Sequence, residues 1–215
     1  FLEKEVRPVV KEYELADKYP HEIVSKMKAL GLFGATISES YGGLGLSAEV
    51  YAQIVEHVSK VWMSISGIFN SHLIMCTAIE KFGTDQMKEK YLPLMARGEL
   101  RGGIALTEPD CGTDLQAIRM RAAKEDDHYI LNGTKQWIPN SVEGNVLAVL
   151  VKTNVDANPR HKGMSLLIVE KEAGYKATKL SKLGYRGIDT GEVEFNDVAV
   201  HQDNLIGLEE GRGLQ

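Results

Sequence analysis

Asp126-Asp127-His128-Tyr129-Ile130-Leu131-Asn132-Gly133-Thr134-Lys135-Gln136-Trp137-Ile138 is the stretch that decides the fold class. Asp126-Asp127 make a turn leading into Tyr129-Ile130-Leu131. Asn132-Gly133 is the strongest short hairpin signal available, because a tight two-residue turn needs positive φ at both positions. Thr134 to Ile138 then read as the returning strand.

Outward from that hairpin the same period continues. Gly102 to Leu106 is a short apolar run, and Arg119 to Ala123 is a further strand candidate. Val146 to Lys152, Met164 to Glu170, Tyr175 to Leu180 and Glu192 to Val200 follow, separated by turn residues at sandwich-like or barrel-like intervals. Before Gly98 the period changes to three and four. Leu2, Val6, Val9 or Val10, Tyr13 and Ala16 form one apolar stripe. Pro20 opens a second helix with Ile23, Met27 and Leu30 inside and Gly31 just past its end. Ser47 caps a helix from Ala48 to about Val61. Ile65 to Phe82 is apolar all round and hence buried, and Gly83-Thr84-Asp85 ends it and caps the next helix. The fold class is therefore α+β: an all-α domain over residues 1–99, then an antiparallel β-barrel or sandwich domain over 100–206. Residues 207–215 read as the lead-in to a further helical domain.

Bulk properties exclude several functions. The 215 residues are 43% hydrophobic and 26% charged, ordinary for a globular chain. A net charge of -5 gives no electrostatic footprint for nucleic acid. No apolar run approaches the ~20 residues needed to span a bilayer. Cys76 and Cys111 lie in unrelated contexts, which reads as free thiols in a reducing compartment. Phe1 opens the chain inside a helical pattern without an initiator Met, so a targeting segment upstream stays open. Six scattered histidines show no metal-ligand spacing, and the common dinucleotide, P-loop, zinc and hydrolase motifs are absent.

Two segments concentrate chemistry. Leu106-Thr107-Glu108-Pro109-Asp110-Cys111-Gly112-Thr113-Asp114 combines hydroxyls, acids, Pro and Gly in a stretch that cannot stay regular for long. It reads either as a loop whose N–H groups and Thr113 hold a phosphate-type oxygen, or as a surface turn with Asp114 capping a helix. Gln136-Trp137-Ile138-Pro139-Asn140-Ser141 carries an indole that either packs on a flat cofactor or belongs to the core.

Taken together with K-L-G-Y-R-G-I-D-T-G-E-V-E-F-N-D-V-A-V, the Y-G-G-x-G turn and F-G-T-D-x-x-K-x-x-Y-L-P, these segments resemble the acyl-CoA dehydrogenases along the whole chain. The usual family versions read T-E-P-x-x-G-S-D and W-I-T-N. The resemblance implies an FAD-binding wall made by Ile104, Ala105, Leu106, Thr107, Gly112 and Thr113, with Trp137, Ile138 and Pro139 beside the flavin. Backbone amides near Leu106 and the Thr107 hydroxyl would face the pyrimidine side of the ring, where hydride transfer leaves negative charge. Thr113 keeps the hydroxyl of the usual Ser and would serve FAD or acyl-CoA pyrophosphate. Pro139 stands where the family has a hydroxyl residue bonded near flavin N5, so that contact is lost.

The implied reaction is α,β-desaturation of an acyl-CoA thioester. The base would be a Glu from a C-terminal four-helix domain beyond Gln215, so the resemblance assigns no catalytic residue here; Glu209 and Glu210 are not nominated. Between Met63 and Ile79 there is no Lys or Arg, which disfavours a glutaryl-type substrate. Asn70 and His72 would interrupt the acyl lining, with His72 read as a satisfied core histidine. An electron-transferring flavoprotein partner, a homotetramer and a bacterial cytoplasmic or mitochondrial matrix setting are also implied. The alternatives are a non-catalytic homologue, or a flavin oxidase or monooxygenase on the same scaffold.

Overall fold

The computed structural model describes residues 1–214. The apolar stripe at the start does not form one helix. Pro8 lacks an N–H, and a π-helical turn at Leu2–Val6 gives way to α1 (Val10–Ala16). Asp17 ends α1 in the left-handed region, and α2 (His21–Ala29) buries Ile23, Val24 and Met27. Gly31, at φ 75, turns the chain out of α2.

α3 (Ala48–Phe82) starts at Ser47, whose hydroxyl accepts from the Val50 N–H. It is one run in name only: Trp62, at φ -157 and ψ 104, breaks it between the two helices read from the sequence. The halves fold back on each other. Tyr51 Oη donates to Asn70 Oδ1 at 2.7 Å, and the Tyr51 and Phe69 rings meet edge to face. Glu14 of α1 holds the break, accepting from Trp62 Nε1 at 2.7 Å, from the Ser64 hydroxyl and from the Arg186 and Gly187 N–H groups. α3 has the length and hydropathy to cross a membrane, but 67% of its apolar window is buried inside the protein and the run is broken. It is a core helix. α4 (Asp85–Ala96) follows, capped by Thr84.

Among the described residues seven strands follow: β1 (Gly102–Ala105), β2 (Arg121–Glu125), β3 (His128–Pro139), β4 (Val146–Lys152), β5 (Met164–Glu170), β6 (Lys176–Lys179) and β7 (Thr190–His201). A helical half followed by a strand half is as read, but the sheet is not purely antiparallel. β1 runs parallel to β4, and β2 touches the far end of the same β4 edge through Arg121 and Lys152, so the sheet is mixed. Residues 106–120 are thus an excursion between two strands that share one edge.

The hairpin turn also moves. Asn132-Gly133 does not reverse the chain; β3 runs straight through it, and the reversal from β2 is at Asp126-Asp127, with Asp126 at φ 51. The positive φ that Gly133 supplies serves a bulge against β7. A Cβ there would lie 2.9 Å from the Met120 side chain, and Asn132 exchanges hydrogen bonds with Asp197 across the bulge.

β4 and β5 are buried on both faces. Val146, Ala148, Leu150, Met164, Leu166 and Ile168 pack against the helices, while Leu147, Val149, Val151, Leu167 and Val169 fill the inside of the curled sheet. That is why these strands are continuous apolar runs rather than alternating ones.

Candidate functional site

Two charges buried together shape the excursion between β1 and β2. Glu108 is 6% exposed, and its Oε1 accepts from Lys135 Nζ at 2.9 Å and from the Met120 N–H at 3.1 Å. Its Oε2 accepts from the Arg119 N–H at 2.6 Å, so one carboxylate ties both ends of the loop. Lys135 is fully buried and also donates to the Leu106 carbonyl at 2.9 Å. Burial pulls its ammonium below the usual lysine range, against the opposing pull of Glu108. Next door, the Gln136 N–H donates to the Thr107 carbonyl at 2.8 Å. Among the described residues nothing in the protein accepts from the Thr107 N–H.

Within β3 a second register shift, between Lys135 and Ile138, turns Trp137 outward. Its backbone is left-handed at φ 62 and its side chain is 52% exposed. It is therefore not a core tryptophan. Ile138 points the other way, into the core of the sheet, and its carbonyl accepts from Ser141 Oγ. Pro139 pairs with Thr190, and its carbonyl lies 2.9 Å from where a Cβ on Gly103 would sit. Asn140, left-handed at φ 58 and buried, donates to the Ile68 carbonyl of α3 and the Gly102 carbonyl of β1.

Beside these strands lies a cleft of about 500 Å³, lined by Ala78, Lys81 and Phe82 of α3, by Ile104, Leu106 and Leu166, and by Ile206, Gly207 and Arg212 to Leu214. A second cleft of similar volume lies on α3 around Tyr51, Asn70, Leu73, Ile74 and Thr77. Asn70 lines the latter, bonded to Tyr51. His72 faces the interior instead, completely buried, with Nε2 3.1 Å from the Met95 carbonyl and 3.4 Å from Cys76 Sγ. Burial pushes its pKa down to about 4.

Leu106, Thr107, Gly112 and Thr113 occupy one loop, and a Cβ on Gly112 would sit 3.5 Å from the Thr107 methyl. Thr113 is exposed, and Asp114 caps a short 3-10 turn by accepting from the Gln116 N–H. The bond from the Gln136 N–H to the Thr107 carbonyl brings this loop to β3. Ala105 is buried in the same core as Ile138, so only the backbones of these two are available to a ligand. Lys182 is occupied by the Ile188 carbonyl and Thr190 hydroxyl, and Ser181 is exposed. Glu209 pairs with Arg212 and Glu210 accepts from Tyr129 Oη. Residues 207–214 form turns rather than a helix and lie along β5 through Gly211 and Gly213; Gln215 is outside the described residues.

The sequence reading missed Lys135 and Glu108 as a pair. Alternation along β3 was the available signal: Lys135 follows Tyr129 and Leu131 on odd positions, and an inward lysine requires a buried acid.

Residues 1–99 match the acyl-CoA dehydrogenase N-terminal domain, and residues 103–198 match the acyl-CoA dehydrogenase middle domain. The short-chain-specific acyl-CoA dehydrogenase of Clostridium acetobutylicum is 37% identical over 219 residues, covering 100% of this chain and 56% of its own length. The solved acyl-CoA dehydrogenase from Geobacillus kaustophilus is 38% identical with a TM-score of 0.92, over 99% of this chain and 56% of its own. A structure described as an electron transferring flavoprotein of Acidaminococcus fermentans is 34% identical with a TM-score of 0.93, over 99% and 56%. The chain spans about half the length of the curated relatives it matches. Matched by two consecutive domains in order and superimposable on a solved member across nearly all its residues, this chain belongs to the acyl-CoA dehydrogenase family.

Proposed function

We propose that this chain forms the flavin-facing and thioester-facing walls of an FAD-dependent acyl-CoA dehydrogenase that desaturates an acyl-CoA at its α,β bond. The observation that carries the reading is the bond from the Gln136 N–H of β3 to the Thr107 carbonyl, which ties the loop after β1 to the residue preceding the exposed Trp137, with Ile104 and Leu106 beside it lining an apolar cleft. An outward indole, a hydroxyl and a backbone N–H without a protein acceptor fit a flat ring that is polar along one edge. When bound, FAD would accept the β-hydride of the substrate.

Each residue then has a task. Ile104 to Thr107 supply the wall and the donors, with Ala105 contributing backbone only. Gly112 lets the loop pass close to Thr107, and Thr113 offers its hydroxyl to a phosphate of FAD or of the acyl-CoA. Trp137 covers the ring; Ile138 and Pro139 set the strand that carries it. The α-proton goes to a Glu outside residues 1–215, and electrons leave to an electron-transferring flavoprotein. A homotetramer completes the assembly. Relatives named from a bacterium and from mitochondria support a bacterial cytoplasmic or mitochondrial matrix setting.

Because α3 carries no Lys or Arg from Met63 to Ile79, the reading favours an uncharged acyl or alicyclic group. Lys81 stands beyond that run, at the rim of both clefts.

A second reading rests on Pro139, which offers neither hydroxyl nor N–H. A non-catalytic homologue, or a flavin enzyme with other chemistry, accommodates that loss. The test is the visible spectrum of the longest native chain containing these residues, before and after anaerobic addition of acyl-CoAs. Flavin bands bleached by one acyl-CoA support the dehydrogenase. A colourless protein that takes up no added FAD overturns it in favour of the non-catalytic homologue.

A further inference from the structure

The Lys135–Glu108 pair does more than its position requires for holding the loop. Glu108 alone already joins the loop ends through the Arg119 and Met120 N–H groups. Lys135 compensates that buried carboxylate, which would otherwise be left as an unpaired buried charge. Beyond that ion pair, Lys135 adds a hydrogen bond to the Leu106 carbonyl.

That carbonyl is one end of a peptide unit whose other end is the Thr107 N–H. An ammonium donating to the oxygen withdraws electron density across the planar, conjugated unit and makes the N–H at the far end a stronger donor. The Thr107 carbonyl, on the next peptide, is already taken by Gln136, while the Thr107 N–H has no protein acceptor among the described residues. The polarised group is therefore the one left for a ligand.

We propose that Lys135 is a positioning residue for the redox chemistry: through the Leu106–Thr107 peptide it strengthens the Thr107 N–H as a donor to the flavin edge that gains charge on reduction. This inference rests on the flavin reading above. Hydride uptake brings two electrons and one proton to the ring, which adds one negative charge, while the substrate loses a hydride and a proton. A stronger donor at the charged edge favours the reduced form, so the cation raises the flavin potential.

The experiment measures flavin potential by dye equilibration in the longest native chain at about pH 6, well below the ordinary lysine range. Lys135→Met is expected to shift the ratio of oxidised to reduced flavin about threefold or more towards oxidised. Glu108→Gln, which leaves the cation without its compensating carboxylate, is expected to shift it the other way. Should Lys135→Met fail to fold, the double variant Glu108→Gln with Lys135→Met leaves no lone buried charge and is expected to shift towards oxidised. Loop loosening alone would move both single variants in one direction, and that result overturns the inference, as does an unchanged potential in the lysine variants. Wild-type protein that takes up no flavin overturns the flavin reading and this inference together; flavin binding with unshifted potentials overturns only the inference.

Discussion

Asn140 donates to the Ile68 carbonyl at 2.8 Å, so the residue after Pro139 in the strand half is fastened directly to the central helix of the helical half. The same amide nitrogen donates to the Gly102 carbonyl at 2.9 Å. One side chain thus fixes α3, β1 and the end of β3 relative to one another, and with them the walls on either side of the proposed flavin site.

Asn140→Ala is expected to destabilise the fold by about 2–3 kcal/mol, from two lost buried hydrogen bonds and the cost of a left-handed alanine. Asn140→Gly loses the same bonds but tolerates φ 58, and is expected to be milder by about 0.5–1 kcal/mol. Urea unfolding monitored by circular dichroism checks the order; equal losses would show that backbone conformation is irrelevant there.

Trp137 separates stability from binding. Its side chain is half exposed, so Trp137→Ala is expected to change unfolding free energy by no more than about 1 kcal/mol. Flavin affinity is expected to fall about tenfold, from the loss of a stacking face. A fluorescence titration with FAD measures this, and unchanged affinity would remove Trp137 from the site.

Pro139→Thr places a hydroxyl and an N–H beside the proposed flavin site. An added hydrogen bond worth about 1 kcal/mol is expected to tighten FAD binding about fivefold. The dissociation constant from the same titration decides, and weaker binding by the threonine variant would mean that Pro139 is already suited to its ligand.

His72 sets a pH dependence. Its folded pKa of about 4 lies below the ordinary value near 6.5, so the folded state binds fewer protons between these limits. Its contribution is fully present above about pH 6.5 and is lost as pH falls to about 4, amounting to about 3 kcal/mol. Comparing urea midpoints of wild type and His72→Gln at about pH 7 and about pH 4.5 isolates this residue; parallel losses in both proteins would assign the acid sensitivity to other groups.

The strands easiest to read were β4 and β5, because burial on both faces leaves an unbroken apolar signature that needs no knowledge of partners. Asn132-Gly133 misled because its composition reports a demand for positive φ, and a bulge within a strand makes the same demand as a turn. Nothing local distinguishes the two; the pairing with β7 does. The parallel entry of β1 beside β4 was equally out of reach, being set by partners over forty positions away. Trp137 stood out by type, while its exposure depends on a register shift that only the assembled sheet reveals. Lys135 is the converse, a charge at an inward position whose partner Glu108 lies 27 residues back in the chain.

β1 and β2 lie on one edge of β4, and the consequence reaches beyond the present chemistry. To the sheet, residues 106–120 are a detour from a single interrupted strand, with entry and exit held independently by backbone ladders. The detour can lengthen, shorten or change composition without slipping the register of any strand, provided the buried charges that gather its ends are kept.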